Sequence, residues 1–243
     1  MDNTLLIGLS QQTALQRQLD IVAHNVANMN TVAYKAERPL FRAFLTDVRD
    51  VEGRPDKAKF VSDYGMVRDS SEGPLKRSGN ELDVAVSGPG YFAVQTQQGE
   101  RYTRNGHLRI DGQGQLTTSD GDVILDTGHS PITLGAEEKS STVARDGSIS
   151  TTAGAKGQLL VVEFQDEGLL TREGGSLYAT TETPSPAKAS TVLQGMIEDS
   201  NVVPIAEMAT LVQLMRAYSS TTQIIRQAED MNARAIHALG QSS

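Results

Sequence analysis

The 243-residue chain has no cysteine, no tryptophan and few aromatics (5%). It also lacks an apolar run of about 18 residues, the length a helix needs to span a bilayer. Without cysteine there is no disulfide, no thiolate nucleophile and no Cys-ligated metal. The absence suits a chain that crosses compartments unfolded, because no wrong disulfide can form, although many chains of this size lack cysteine anyway. A hydrophobic content of 38% predicts a modest core for the length. The charge is short on the basic side, with 22 basic against 30 acidic residues and a net −8. That argues against nucleic-acid binding, which needs a basic face to displace counterions, and against docking on anionic lipid. The N-terminal "MDNTLLIGLSQQTALQ" starts acidic and has no basic segment ahead of its apolar run, so it does not read as a secretory signal peptide.

Sequence motifs for catalysis and metal binding are missing as well. His24, His107, His129 and His237 show no i, i+4 pairing and no Glu at metal spacing. The Asp-Gly repeats lack the closing Glu of a calcium loop. "GPG" at 88–90 and "GQG" at 112–114 lack the pattern of a phosphate loop, and no serine has a Gly-x-Ser-x-Gly setting. No catalytic residue, metal or cofactor is expected. An enzyme with a cleft in a β domain is the rival class, and it requires a convergent set of titratable groups.

What is present falls into three kinds of text. Leu5, Gly8, Gln12, Leu15, Leu19, Val22, Val26 and Met29 alternate steps of three and four, a heptad seam that predicts a helix over about 3–29. Met208, Leu211, Met215, Tyr218, Thr222 and Ile225 repeat that spacing near the other end. Pro204 suits a first helical turn there, Ser200 and Asn201 are capping types just before it, and Gly240 stops the pattern. Between the ends the text turns to alternation and turn signals: "ELDVAVSGPGYFAVQT", then Asn105-Gly106, Asp111-Gly112 and Asp120-Gly121 as two-residue hairpin turns.

The expected fold class is therefore α+β: a central antiparallel β domain with long N- and C-terminal helices pairing as a coiled coil. The expected divisions are an N-terminal helical arm at 1–35, an extended connection with short strands at 36–74, and the β domain at 75–182. A Pro/Ser linker at 183–200 and a C-terminal helical arm at 201–243 complete the chain. Such helices gain little from propensity and need tertiary burial. Pairing with each other leaves apolar flanks for neighbouring copies to cover, which points to polymerisation through the terminal arms. The candidate interface residues are Leu15, Leu19, Val22, Asn25, Val26, Asn28, Met29, Met208, Leu211, Met215, Arg216, Tyr218 and Ile225. Asn25, Asn28 and Asn30 fit either a helix end or inter-subunit hydrogen bonds that fix register. The methionines fit either plain packing or adaptable contacts with unlike neighbours.

"LDIVAHNVANMNTVAYK", with Ala23, Asn25, Ala27, Asn28, Asn30, Thr31, Tyr34 and Lys35, resembles the N-terminal signature of flagellar rod and hook proteins. That family usually has Gly where this chain has Ala33. "SNVVPIAEMATLVQLMRAY", with Ser200, Asn201, Val202, Glu207, Met208, Arg216 and Tyr218, is similar to its C-terminal box. "SGNELDVAVSGPGYFAVQT" and "RYTRNGHLRIDGQGQL" resemble the segment that opens its β domain. The resemblance implies a structural subunit of the basal-body rod in the periplasmic space, exported unfolded through the flagellar type III apparatus without a cleaved signal. It further implies self-assembly with other rod proteins and contacts to hook-side and ring proteins, with no nucleic acid and no membrane insertion. The terminal helices would line the inner tube and the β domains the outer wall of a shaft that passes torque.

Overall fold

The computed structural model describes residues 2–49, 55–135, 141–174 and 176–240. Helix α1 (Asp2–Ala27) is followed by strands β1 (Glu37–Arg49) and β2 (Pro55–Arg68). Strands β3 (Leu75–Arg77), β4 (Val84–Ser87), β5 (Tyr91–Thr96), β6 (Gly99–Thr103), β7 (Leu108–Ile110), β8 (Leu116–Thr118) and β9 (Val123–Ile124) come next. Then follow β10 (Ser141–Val143), β11 (Ser148–Thr151), β12 (Gly154–Gln158), β13 (Val161–Glu163), β14 (Thr171–Arg172) and β15 (Leu177–Ala179). Finally β16 (Ser185–Pro186), β17 (Thr191–Gln194) and β18 (Met196–Glu198) lead to α2 (Pro204–Gly240). Every ladder among the described residues is antiparallel. The fold is α+β, with two compact units.

The helical unit joins three separate stretches: α1, the β1–β2 hairpin and α2. The hairpin pairs Glu37 with Arg68 through to Arg49 with Pro55, broken by one bulge between Leu40 and Phe41, where Gly65 has φ 143°. These are the longest strands of the chain, where short strands in an extended connection were expected. Charge and Pro/Gly interruptions hide the alternation there, because a two-stranded ribbon imposes no second packed face to enforce it.

The β unit comprises residues 28–36 and 70–202. Strand β5 organises its interior through the two-residue period of an extended chain. Phe92 and Val94 enter one core with Val84, Val86, Leu108, Ile124 and Leu159. Tyr91 and Ala93 enter a second with Tyr102, Leu160, Phe164 and Tyr178. In the second core Tyr91 meets Phe164 and Tyr178 edge-on, both at 5.7 Å between ring centres, and Tyr102 meets Phe164 at 4.9 Å.

Residues 183–200 are not a linker. Strands β16, β17 and β18 pair with β13, β4 and β3, and Val192, Glu198 and Ser200 are buried. The Pro/Ser composition marks only the excursion before β17, and "TVLQGMIE" completes the sheets. Asn105-Gly106 is not a two-residue hairpin turn either, since the flanking strands β6 and β7 do not pair with each other. Gly106 is required because a Cβ there would lie 1.6 Å from the Val84 carbonyl oxygen, to which the chain draws close for the Val84 N–H···O bond at 2.9 Å. Asp111-Gly112 and Asp120-Gly121 do join paired strands, through loops longer than two residues.

Candidate assembly interface

Helix α1 ends where its sequence predicts. After Ala27 the Asn28 carbonyl accepts from Thr31 N–H at 3.0 Å and its Oδ1 from the Thr31 hydroxyl at 3.2 Å. Asn28 is thus a helix-end residue. Ala33, where the rod and hook proteins usually carry Gly, takes the left-handed conformation (φ 57°), fully buried, with its N–H on the Glu198 carbonyl at 2.8 Å. Asn25 has partners within its own chain. Its Nδ2 donates to the Glu37 carbonyl at 2.9 Å and its Oδ1 accepts from the Glu37 N–H at 3.0 Å, the pairing of a β-bridge made by a side chain. Nδ2 also lies 3.4 Å from Glu207 Oε2 on α2.

The two helices pack antiparallel. Gly8 faces Ile225, Gln12 Nε2 reaches the Tyr218 hydroxyl at 3.1 Å and the Thr222 hydroxyl at 3.3 Å, and Asn25 faces Glu207. A residue and its opposite number therefore sum to about 232, which pairs the start of α1 with residues near 230. With 37 residues in α2 against 26 in α1, the last ten or so residues of α2 run past α1, roughly 15 Å at 1.5 Å per residue.

Of the thirteen candidate residues, Leu15, Leu19, Val22, Asn25 and Val26 lie on the covered side of α1, with Ile21, Val22 and Asn25 fully buried. Asn28 and Met29 belong to the β unit, where Met29 packs on Tyr34, Ala36 and Val202. Leu211, Tyr218 and Ile225 are half-buried on the α1-facing side of α2. Met208, Met215 and Arg216 are exposed instead, with Met208 at 46% and Met215 at 58%. The in-chain seam of α2 is Glu207, Leu211, Leu214, Tyr218, Thr221 and Ile225: each is half-buried except Thr221, which is buried. Met208 and Met215 are therefore each one residue off the seam, whereas Thr222 is half-buried beside Thr221 and bonds Gln12. Ser200 and Asn201 do not cap α2, whose first residue is Pro204; Asn201 turns back to bond Ala36 and Ser71 in the β unit.

At about 100° per residue, Ile205, Met208, Val212 and Met215 form a second apolar stripe beside that seam, and all four are exposed. Ile224 and Met231 expose a further pair on the opposite flank of the same helix, and Leu6 and Leu9 are exposed near the start of α1. Val212, Ile205, Ile224, Leu6 and Leu9 escaped the sequence reading, although the 205–208–212–215 spacing carries its own three-four signal. Among the described residues no cluster of His, Cys, Asp and Glu is arranged for a metal. Among the same residues no helix is long and apolar enough to cross a membrane.

Comparison with known proteins decides what these surfaces belong to. Residues 5–35 match the family described as "Flagella basal body rod protein", 85–151 the "Flagellar hook protein FlgE/F/G D1 domain", and 193–237 the "Flagellar basal body rod FlgEFG protein C-terminal". The flagellar basal-body rod protein FlgF of Caulobacter vibrioides is 36% identical over 242 residues, covering 99% of both chains. That of Mesorhizobium japonicum is 32% identical over 247 residues and covers both completely. The chain belongs to the flagellar basal-body rod protein family. It is a structural subunit of the basal-body rod, not an enzyme. FlgG of Agrobacterium fabrum, from the same family, is 28% identical over 254 residues, covering 93% of this chain and 95% of the relative. In this rod protein the signature residues at both ends divide their work. Asn25 and Glu207 fasten the helical unit, whereas Tyr34, Lys35 and Asn201 fasten the β unit.

Proposed function

We propose that the chain is a proximal-rod subunit that polymerises through its terminal helices into the torque-transmitting shaft, in the periplasmic space, after export through the flagellar type III apparatus. Its neighbours in this reading are further copies, other rod proteins, and hook-side and ring components. The end-to-end identity of 32–36% with FlgF relatives, against 26–29% with FlgG relatives, favours the proximal over the distal position. The helices act as a coiled coil in the subunit and as axial contacts in the shaft. The β units supply lateral contacts. Such contacts are heterologous and do not close, so they propagate.

The observation that carries this reading is the exposed 205–208–212–215 stripe, an apolar face beside a seam already filled. An uncovered stripe of this kind marks an interface. The deciding substitution is Met215→Asp. Because Met215 is exposed, the purified chain should keep its circular dichroism and denaturation midpoint. Basal bodies from cells carrying it should lack completed rods in electron micrographs. Normal rods in those micrographs would remove Met215 from the interface.

A further inference from the structure

The chain passes between the two units four times, after residues 27, 36, 69 and 202. On the β-unit side the segments that make these passages, 28–36, 70–74 and 198–202, are bonded to one another around the buried Glu198. Lys35 Nζ donates to Glu198 Oε1 at 2.7 Å and to the Ser71 carbonyl at 2.6 Å. Gly73 N–H donates to the same Glu198 oxygen at 2.8 Å. Asp199 N–H meets the Pro74 carbonyl at 3.0 Å, and Asn201 N–H meets the Tyr34 carbonyl at 3.3 Å. The Asn201 side chain accepts from Ala36 N–H at 2.7 Å and donates to the Ser71 carbonyl at 3.1 Å. Gly73 is held so closely that a Cβ would stand 2.0 Å from the Asp199 carbonyl oxygen.

The other Glu198 oxygen binds Arg104 Nε at 2.7 Å. Arg104 in turn donates to the Gly88 and Gly90 carbonyls at 2.8 Å and to the Val86 carbonyl at 3.2 Å, and lies over the Tyr91 ring at 5.5 Å. The side chains of Lys35 and Glu198 are wholly buried and that of Arg104 nearly so. A buried ion pair is a poor device for stability, since well-packed apolar residues often do as well or better. Its merit is direction: hydrogen bonds and paired charges hold only at one relative position.

We propose that Lys35, Glu198 and Arg104 form a clasp that holds three of the four chain exits of the β unit, at residues 36, 70 and 202, in fixed register and passes tension from them into the β4–β5 core. The tension half of this assignment rests on the torque-transmitting reading above; the register half does not.

Glu198→Gln tests both on the full-length chain. Hydrogen exchange should quicken about tenfold or more at the Ala33, Ala36, Gly73 and Asn201 amides, while the core amides Val84, Ala93 and Leu160 keep their protection, as expected of a locally opening element. Cells carrying the variant should swim in dilute medium and stop at raised viscosity, where wild-type cells continue. Equal quickening in the core, or none at the clasp, overturns the register role. Viscosity-independent swimming overturns the tension role, whereas failure of the shaft reading shows separately as completed rods in cells that lack this chain. If Glu198→Gln leaves no protected core, Asn201→Ala applies the same two readouts from the rim of the clasp, without an unpaired buried charge.

Discussion

Asn25 is a poor helix former that earns its place by standing in for a strand, satisfying both the N–H and the C=O of Glu37. Truncating it in Asn25→Ala removes both bonds at the base of the hairpin. At about 0.5–1.5 kcal/mol for each hydrogen bond lost, the urea midpoint of the full chain should fall measurably. The clasp makes a second residue-scale prediction, on pH. Burial by itself would push the Glu198 carboxyl up. The charges of Arg104 and Lys35, and the hydrogen bonds from Lys35 and Gly73, outweigh it and hold the group below its ordinary 4.5. A carboxyl with a depressed folded value contributes stability above its unfolded value and loses it as pH falls through the folded one. Glu163 is shifted the same way: burial pushes it up, but hydrogen bonds from Ser190 and from the Ala189 and Lys188 amides prevail. Denaturation midpoints of the β unit should therefore hold from neutrality down to about pH 5 and drop below pH 4.5, with a shallower drop in Glu198→Gln.

At the scale of elements, the helices were legible because a three-four repeat survives any context, and α1 lies on its predicted seam from Gly8 to Val26. The seam of α2 was legible at Leu211, Tyr218, Thr222 and Ile225 and missed at Met208 and Met215. Met215 is as apolar as Leu214, so composition alone could not choose between adjacent stripes; α2 carries two, one filled and one exposed. The β1–β2 hairpin was illegible for the opposite reason, having too little pattern. Strand β16 lies inside the Pro/Ser text, which also obscured β17 and β18 after it. The clasp was half visible: Tyr34, Lys35 and Asn201 stood in recognisable motifs, but nothing in the sequence pairs residue 35 with residue 198. Burial also changes what one substitution does. Val22 is 6% exposed, so Val22→Asp strikes the subunit's own helical unit as well as assembly. A loss of about 3 kcal/mol or more, seen as reduced ellipticity at 222 nm in the purified chain, separates it from Met215→Asp.

For the whole molecule, the two units differ in how far apart their partners lie in sequence. The helical unit is closed by bonds across separations of 206 and 210 residues, between Gln12 and Tyr218 or Thr222. Much of the β unit is built from neighbouring strands. Contacts at long separation form late because loop closure must come first. The β unit should therefore fold first, and its clasp, by joining Tyr34 to Asn201, shortens the loop that α1 and α2 must close. Stopped-flow refolding tests this. Fluorescence of a Tyr64→Phe, Tyr218→Phe chain, whose remaining tyrosines all lie within the β unit, should recover before the helical circular dichroism does. Simultaneous recovery in that chain would rule the order out.

The antiparallel register of α1 and α2 also has a practical side for imaging. The first turn of one helix and the closing turns of the other emerge at the same end of the pair, so an affinity tag or fluorescent protein fused at either extremity crowds that one end. A small dye is better placed on the solvent-facing bend around Gln113, where a lone introduced thiol has no native competitor.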